Sequence, residues 1–360
     1  MRNDETRGMN EAEIAQRLAN ELPMLLPNLT LEKIEREARV GRGSRADLVI
    51  RARSGKLRKT LVLEVKSIGE PRIVERAITQ LRTVANALPE SYPMFAAPYI
   101  SERARELCRA NGIGYVDLAG DAFLQFGPVL IDRVGPRSET LERRGLRSLL
   151  APKATRVLRT VLQSPNQPKT LTEIAQKCSM SIAGVYLVVD LLQSKGFVER
   201  DAQKRVTVPQ PRSLLLEWAK AWNIERNRER RYFSFVKAPE QVIGRIADAS
   251  RETGTEYAFT GMAGASLVAP FVRFEDVWAY VKGDQASIVK AMDLRPVSSG
   301  ANVVLMEPYD VGVFADSRAI DGKQVVSDVQ LIVDLYTNPA RGLEQAEYIM
   351  NRSATFKEAS

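Results

Sequence analysis

Two carboxylates and one ammonium group are the residues of this chain best suited to chemistry: Asp47, Glu64 and Lys66, within SRADLVIRARSGKLRKTLVLEVKS. A carboxylate pair can hold Mg²⁺, a hard cation that favours oxygen ligands and keeps several waters for a substrate phosphate. The metal acidifies a bound water and screens charge growing on a phosphodiester. A neighbouring lysine can orient that water and offset transition-state charge. The elements that must position the three are two β-like runs, Ala46–Arg53 and Thr60–Ser67, joined by Ser54–Lys59 with Gly55 inside it. Pairing them as a hairpin sets Arg53 opposite Thr60 and Asp47 across from Lys66. Alternation points Glu64 and Lys66 one way and Leu63 and Val65 the other. Glu64 is then a diagonal neighbour of Asp47, roughly 7–8 Å away by Cα. An acid and a lysine two residues apart also decorate many ordinary exposed strands, so the tripeptide gains meaning from its hairpin and its flanks.

The flanks follow an ordered pattern. A helix-like run, Glu11–Leu25, precedes the hairpin, with Ile34–Val40 as a first strand, and a helical segment, Arg72–Leu88, follows it. Next come an apolar strand (Tyr92–Ile100), a helix capped by Ser101 and stopped at Asn111-Gly112, and a strand from Ile113 to Leu118. With Asp47, Glu64 and Lys66 in this α-β-β-β-α-β order, residues 1–136 resemble the PD-(D/E)xK nuclease superfamily. The resemblance implies a restriction-endonuclease-like α/β core. It also implies catalytic roles for Asp47, Glu64 and Lys66, and a Mg²⁺ held by Asp47, Glu64 and the Val65 carbonyl. Ala46 stands where many members have proline.

The chain has 360 residues, 44% hydrophobic and 27% charged, which suits a globular protein of two or three domains. It contains no histidine. That excludes Ser-His triads, Cys-His pairs and histidine-ligated zinc sites, and leaves carboxylate, lysine and metal as the means of any hydrolysis. Cys108 and Cys178 are the only cysteines, each within a helical pattern, so neither a disulfide framework nor a zinc cluster is expected. The opening stretch MRNDETRGMN is polar and no apolar run reaches spanning length, so a cytoplasmic protein without membrane contact is expected. A net charge of +8 suits a polyanionic partner.

Positive charge concentrates in the middle. Arg137–Thr160 carries Arg137, Arg143, Arg144, Arg147, Lys153, Arg156 and Arg159 against Glu139 and Glu142, and reads as a join between domains. Helical runs follow at Ala154–Leu162, at Leu171–Cys178 behind a Thr170 or Thr172 cap, and at Ser181–Lys195, which ends at Gly196. Two short runs, Phe197–Arg200 and Arg205–Val208, flank the polar turn Asp201–Lys204. Three helices and a basic hairpin resemble a winged helix-turn-helix, assigned here to residues 137–210. The resemblance implies that the third helix enters the major groove and the wing meets phosphate. Its DNA-facing candidates are Ser179, Ser181, Ala183, Gly184 and Tyr186, with Arg200, Lys204 and Arg205 on the wing and Arg156 in the join. The third helix has no arginine, asparagine or glutamine before Gln193, so base reading looks poor and phosphate contact is the firmer expectation.

Residues 211–360 read as an α/β domain. A helix over Pro211–Arg231 carries Trp218 and Trp222, and its basic end, Arg226–Arg231, reads as a solvated helix face. Strand and helix runs follow at Tyr232–Lys237, Pro239–Glu252, Glu256–Phe259, Gly261–Ala269, Asp276–Val281, Val303–Glu307 and Val329–Leu335. The small-residue turn Thr260–Ser266 before Phe274–Trp278 parallels a nucleotidyltransferase layout. Trp278 replaces the second carboxylate after Asp276, so that domain is read as nucleotidyltransferase-like in shape and catalytically empty. Gly261–Pro270, Ala301–Tyr309, Val325–Leu331 and Asp334–Tyr336, together with the winged helix, resemble the AbiEi-like antitoxins of type IV toxin–antitoxin systems. This resemblance implies a DNA-binding transcriptional regulator that counteracts a nucleotidyltransferase-type toxin without stable contact. The alternative is a Mg²⁺-dependent DNA endonuclease targeted by its winged helix.

Overall fold

The computed structural model describes residues 9–40, 44–88, 90–135 and 152–357. Arg137, Arg143, Arg144 and Arg147 of the expected basic join, with Glu139 and Glu142, lie outside the described residues. The chain divides into two compact units, one of Met1–Gly145 with Leu192–Gly196, the other of Leu146–Leu191 with Phe197–Ser360.

In the first unit the helix expected at Glu11–Leu25 is present, as α1. Asn10 caps it: its side chain accepts from the Glu13 amide at 2.9 Å, and the Glu13 carboxylate accepts from the Asn10 amide. Its apolar stripe, Ile14, Leu18 and Leu22, is fully buried. Seven strands follow in sheet order β1 to β7. They are β1 (Thr30–Val40), β2 (Ser44–Ser54), β3 (Leu57–Val65), β4 (Ser91–Ala97), β5 (Gly114–Asp117), β6 (Ala122–Phe126) and β7 (Val129–Arg133). The first three pair antiparallel, β3, β4 and β5 run parallel, and β5 to β7 are antiparallel again. The last two strands had no counterpart in the sequence expectation. Helices α2 (Pro71–Asn86) and α3 (Glu102–Ala110) make the crossovers that parallel strands require. On β3, Leu61, Leu63 and Val65 join the α1 core, while Val62 packs with Val84 of α2. Glu64, between Leu63 and Val65, is thereby turned toward α2.

The hairpin register differs from the expected one. Arg53 pairs with Arg58 and Arg51 with Thr60, two residues from the anticipated alignment. Ser54 pairs with Leu57, leaving a two-residue turn of Gly55 and Lys56 in place of a six-residue connection. Gly55 takes φ +59 at the first central position, where tight hairpins need a left-handed residue. Extending the ladder beyond Leu48–Leu63 brings Asp47 level with Glu64 rather than with Lys66.

The second unit begins with helices α4 (Pro152–Gln163), α5 (Leu171–Cys178) and α6 (Ile182–Ser194, whose Leu192–Ser194 group with the first unit) and the hairpin β8 (Glu199–Arg200)–β9 (Val206–Thr207). Thr170 and Glu173 form the capping box that starts α5. Helix α7 (Pro211–Ala221) then leads into a second seven-stranded sheet. Its strands are β10 (Arg228–Phe233), β11 (Tyr257–Thr260), β12 (Val277–Val281), β13 (Arg295–Pro296), β14 (Val303–Glu307), β15 (Arg318–Ile320) and β16 (Lys323–Val325), in order β13-β10-β14-β12-β11-β16-β15. Helices α8 (Pro239–Thr253), α9 (Gly261–Val268), α10 (Ala286–Ala291), α11 (Asp328–Tyr336) and α12 (Gly342–Arg352) complete it. The helix expected across Pro211–Arg231 stops at Ala221. A short 3₁₀ turn, Ile224–Arg226, intervenes, and the basic run enters strand β10, paired with β14. Tertiary pairing overrides helical propensity there, because Tyr232 is buried in the core of the sheet.

The division expected at residue 210 is bridged by buried polar contacts. Arg156 of α4 pairs with Asp310 at 2.9 Å, and Arg159 of the same helix donates to Gln330 of α11 at 2.8 Å. Residues 152–191 therefore group with the C-terminal sheet in one compact unit. No single helix among the described residues is long and apolar enough to cross a membrane.

Candidate functional site

The hairpin and α2 bring Asp47, Glu64 and Lys66 together. Lys66 Nζ lies 2.6 Å from Glu64 Oε1 and 3.6 Å from a carboxylate oxygen of Glu11, at the start of α1. Asp47 Oδ2 accepts a hydrogen bond from the Val65 amide at 2.7 Å, which takes over from the ladder where β2 and β3 part. Gln80 of α2 donates to Glu64 Oε2 at 2.9 Å. Glu64 is 4% exposed, and burial is the main cause that raises its carboxyl above the ordinary range. The Lys66 hydrogen bond opposes that rise and the Asp47 charge adds to it. Burial pulls Lys66 down, but its bond to Glu64 and the charges of Glu64, Glu11 and Asp47 outweigh it, so the ammonium is held above its usual range.

Gln80 and Glu11 were not singled out in the sequence. Gln80 sits three residues after Ala77 and four before Val84, on the flank of α2 beside its buried face, which a helical projection could have flagged. Glu11 reads locally only as a favourable acid in the first turn of α1. Among the described residues no group of three or more His, Cys, Asp or Glu side chains is placed to hold a metal ion. Asp47, Glu64 and the Val65 carbonyl fit a hard divalent cation in kind, as two carboxylates and a neutral oxygen. Both Glu64 oxygens are engaged, by Lys66 and Gln80, so a cation there would displace one of those donors.

The residues expected to meet DNA divide into two groups. Tyr186 is exposed on α6, and Ser181, exposed just before that helix, accepts from the Gly184 amide at 3.2 Å through its hydroxyl. Ser179 ends α5 in the left-handed region at φ 52 and is exposed. Lys204 is exposed at the hairpin tip with φ 61, and Arg205 is 44% exposed while paired to Asp201 at 2.7 Å. Arg156 and Arg200 are placed otherwise. Arg156 is committed to Asp310 and the Cys178 carbonyl. Arg200 is 17% exposed, with its guanidinium 5.1 Å from the Tyr186 ring centroid and 4.0 Å from Asp190. Both brace elements of the unit together, because a guanidinium taken from water needs acceptors or a π face.

In the C-terminal sheet Asp276 accepts from the Trp278 indole at 2.6 Å, so the residue that breaks the expected carboxylate pair also occupies the remaining acid. The most buried acid there is Asp334 on α11. It accepts from the Thr260 hydroxyl (2.6 Å), the Gln330 amide (2.8 Å), the Trp222 indole (2.9 Å) and the Tyr280 hydroxyl (3.1 Å). Burial pushes its carboxyl up to about 6 against the pull of those four donors.

No curated protein matches the chain. Among solved structures it is similar to a repair endonuclease from Pyrococcus abyssi, at 19% identity and a TM-score of 0.25 over 30% of this chain and 47% of that one. It is also similar to EndoMS in its apo form, at 17% identity and a TM-score of 0.23 over 31% of this chain and 47% of that one. The chain thus spans about half the length of each, and scores this low establish neither fold nor function. Over residues 205–355 the sequence matches the AbiEi_2 family, described as the transcriptional regulator and AbiEi antitoxin of a type IV toxin–antitoxin system.

Proposed function

We propose that this chain is a DNA-binding transcriptional regulator of antitoxin type that carries a nuclease-like module on its N-terminal side. The observation that carries this reading is the family match over residues 205–355. The preceding residues support it. Helices α5 and α6 meet at 112°, within the range used by helix-turn-helix motifs, and the β8–β9 hairpin follows as a wing would. Lys204 and Arg205 at the wing tip meet phosphate, and the exposed Ser179, Ser181 and Tyr186 approach the groove. Ile182 and Leu187 are exposed on the same helix and read no base edge by hydrogen bonding, so affinity leans on phosphate contacts. The functional counterpart is a nucleotidyltransferase-type toxin, and the setting is the cytoplasm.

The test is binding of the full chain to the DNA upstream of its own gene. Changing Lys204 and Arg205 together to alanine should weaken binding and lower its salt dependence by nearly one unit of slope per lost phosphate contact. Binding that ignores sequence, with no effect on promoter activity, would overturn the reading.

A second reading is favoured by the convergence of Asp47, Glu64, Lys66 and Gln80: a Mg²⁺-dependent DNA endonuclease of PD-(D/E)xK type. Bound Mg²⁺ would supply an acidified water and screen phosphodiester charge. Asp47 and Glu64 would hold it, Gln80 would keep the Glu64 carboxylate oriented, and Lys66 would place positive charge beside the scissile phosphate. Asp47→Ala and Lys66→Ala should each abolish Mg²⁺-dependent nicking of plasmid DNA while leaving DNA binding intact. An intact protein that cleaves no DNA with any divalent metal would sink this reading.

A further inference from the structure

The basic run expected to be a solvated helix face lies instead near the edge of the C-terminal sheet, beside exposed aromatic residues. Strand β10 pairs along its length with β14, but β13 meets it at Tyr232 and Phe233, with one further bond from the Val297 amide to the Arg231 carbonyl at 3.1 Å. Arg228–Arg230 thus borders an incompletely covered edge. A cavity of about 520 Å³ lies there, lined by Arg230, Arg231, Tyr232, Ala286, Val289 and Pro296. Phe233 is the register partner of Arg295, so the two share a face with Arg231, while Tyr232 and Pro296 point to the other. Just beyond the strand, Phe235 is 61% exposed. Its ring meets Phe233 edge-on at 5.3 Å, and the Arg295 guanidinium lies 4.8 Å from its centroid. Arg231 pairs with Glu229, whereas Arg230 and Arg295 have no acidic partner among the described residues.

An exposed phenyl ring held edge-on by a second ring and flanked by the unneutralised Arg295 guanidinium satisfies two needs of one ligand class. An unstacked base needs a flat apolar platform, and the backbone joining it to the next base needs positive charge within a few ångströms. A duplex offers no free base face, so the pairing of features selects single strands over double strands. The geometry points to a single-stranded nucleic-acid site at the β10–β13 edge, with one base stacked on Phe235 and adjacent phosphates held by Arg231 and Arg295, while Arg230 points to the opposite face with Tyr232. This site is separate from the β8–β9 hairpin and would act whether or not that hairpin binds duplex DNA.

The test titrates the full chain against fluorescein-labelled oligo(dT), oligo(rU) and a duplex of the same length, read by anisotropy. The wild type should bind at least one single strand, the two arms telling DNA from RNA. Phe235→Ala should weaken that binding roughly tenfold or more and leave duplex affinity unchanged. Phe235→Trp should retain it, which separates loss of stacking from misfolding. Arg231→Ala and Arg295→Ala should each reduce the salt slope by about 0.7. The proposal is overturned if the wild type binds neither single strand, as it would if an acidic protein covers this edge. It is equally overturned if Phe235→Ala binds single strands like the wild type, if it loses duplex affinity in parallel, or if single-strand binding disappears with Lys204 and Arg205 instead.

Discussion

Glu64 and Asp334 are both buried acids with raised carboxyl pKa values, yet their surroundings differ in kind. Asp334 is 1% exposed and receives hydrogen bonds from Thr260, Trp222, Tyr280 and Gln330, with no second carboxylate among its hydrogen-bond partners. Glu64 has two donors, Lys66 and Gln80, and the charge of Asp47 acts against it. A buried carboxylate saturated by neutral donors is satisfied without a ligand and serves the fold. Two carboxylates gathered beside a lysine leave a like-charge repulsion that an incoming cation would relieve. The contrast separates an acid saturated by neutral donors from one that shares its surroundings with a second carboxylate and an ammonium, although burial raises both.

The largest expected effect falls on the saturated acid. Asp334→Ala strands four donors in the interior and should cost about 3–5 kcal/mol in denaturant unfolding. A loss below about 1 kcal/mol would show that those donors find other partners and would break the contrast.

A pH series sharpens it. The Asp334 carboxyl titrates near 6 when folded against 3.8 as its ordinary value, so the folded state holds its proton more tightly than the unfolded state. Its contribution is most favourable below about pH 4 and is lost as pH rises through about 6, by up to roughly 3 kcal/mol. The stability of wild type relative to Asp334→Asn should therefore fall between pH 4 and pH 7. A wild-type advantage that grows with pH would reverse the sign.

Smaller effects are expected at the remaining polar contacts. A double-mutant cycle on Arg156 and Asp310 should return a coupling of about 1–2 kcal/mol, since the pair is charge-assisted and Asp310 is buried. Zero coupling would mean that α4 is not held to the C-terminal sheet by this pair. The smallest change is expected at Glu64, where Glu64→Gln should alter stability by no more than about 1 kcal/mol, because losing the Lys66 ion pair is offset chiefly by no longer burying a charge, with relief of the Asp47 repulsion added. Near-neutral stability there, beside a large loss for Asp334→Ala, is the outcome that keeps the two acids in different classes.

The sequence by itself determined what depends on backbone geometry over a few residues. The alternation along β3 separates Glu64 from Leu63 and Val65, and helix α1 matches its expected span because its cap and apolar period are local signals. Helix α5 was legible for the same reason, since Thr170, Glu173 and its apolar period lie within a few residues of one another. Only the tertiary structure decided who meets whom. The two-residue turn at Gly55 shifted the hairpin by two positions and set Asp47 level with Glu64. Gln80 and Glu11 came to the site on separate helices, Arg156 and Arg200 were drawn inward, and Arg228–Arg231 became sheet where a helix was expected. Side-chain periodicity is fixed by the local repeat of the chain. The partner of a polar group is fixed by long-range closure and by the cost of leaving buried charge unmet, and neither is written in any short stretch of sequence.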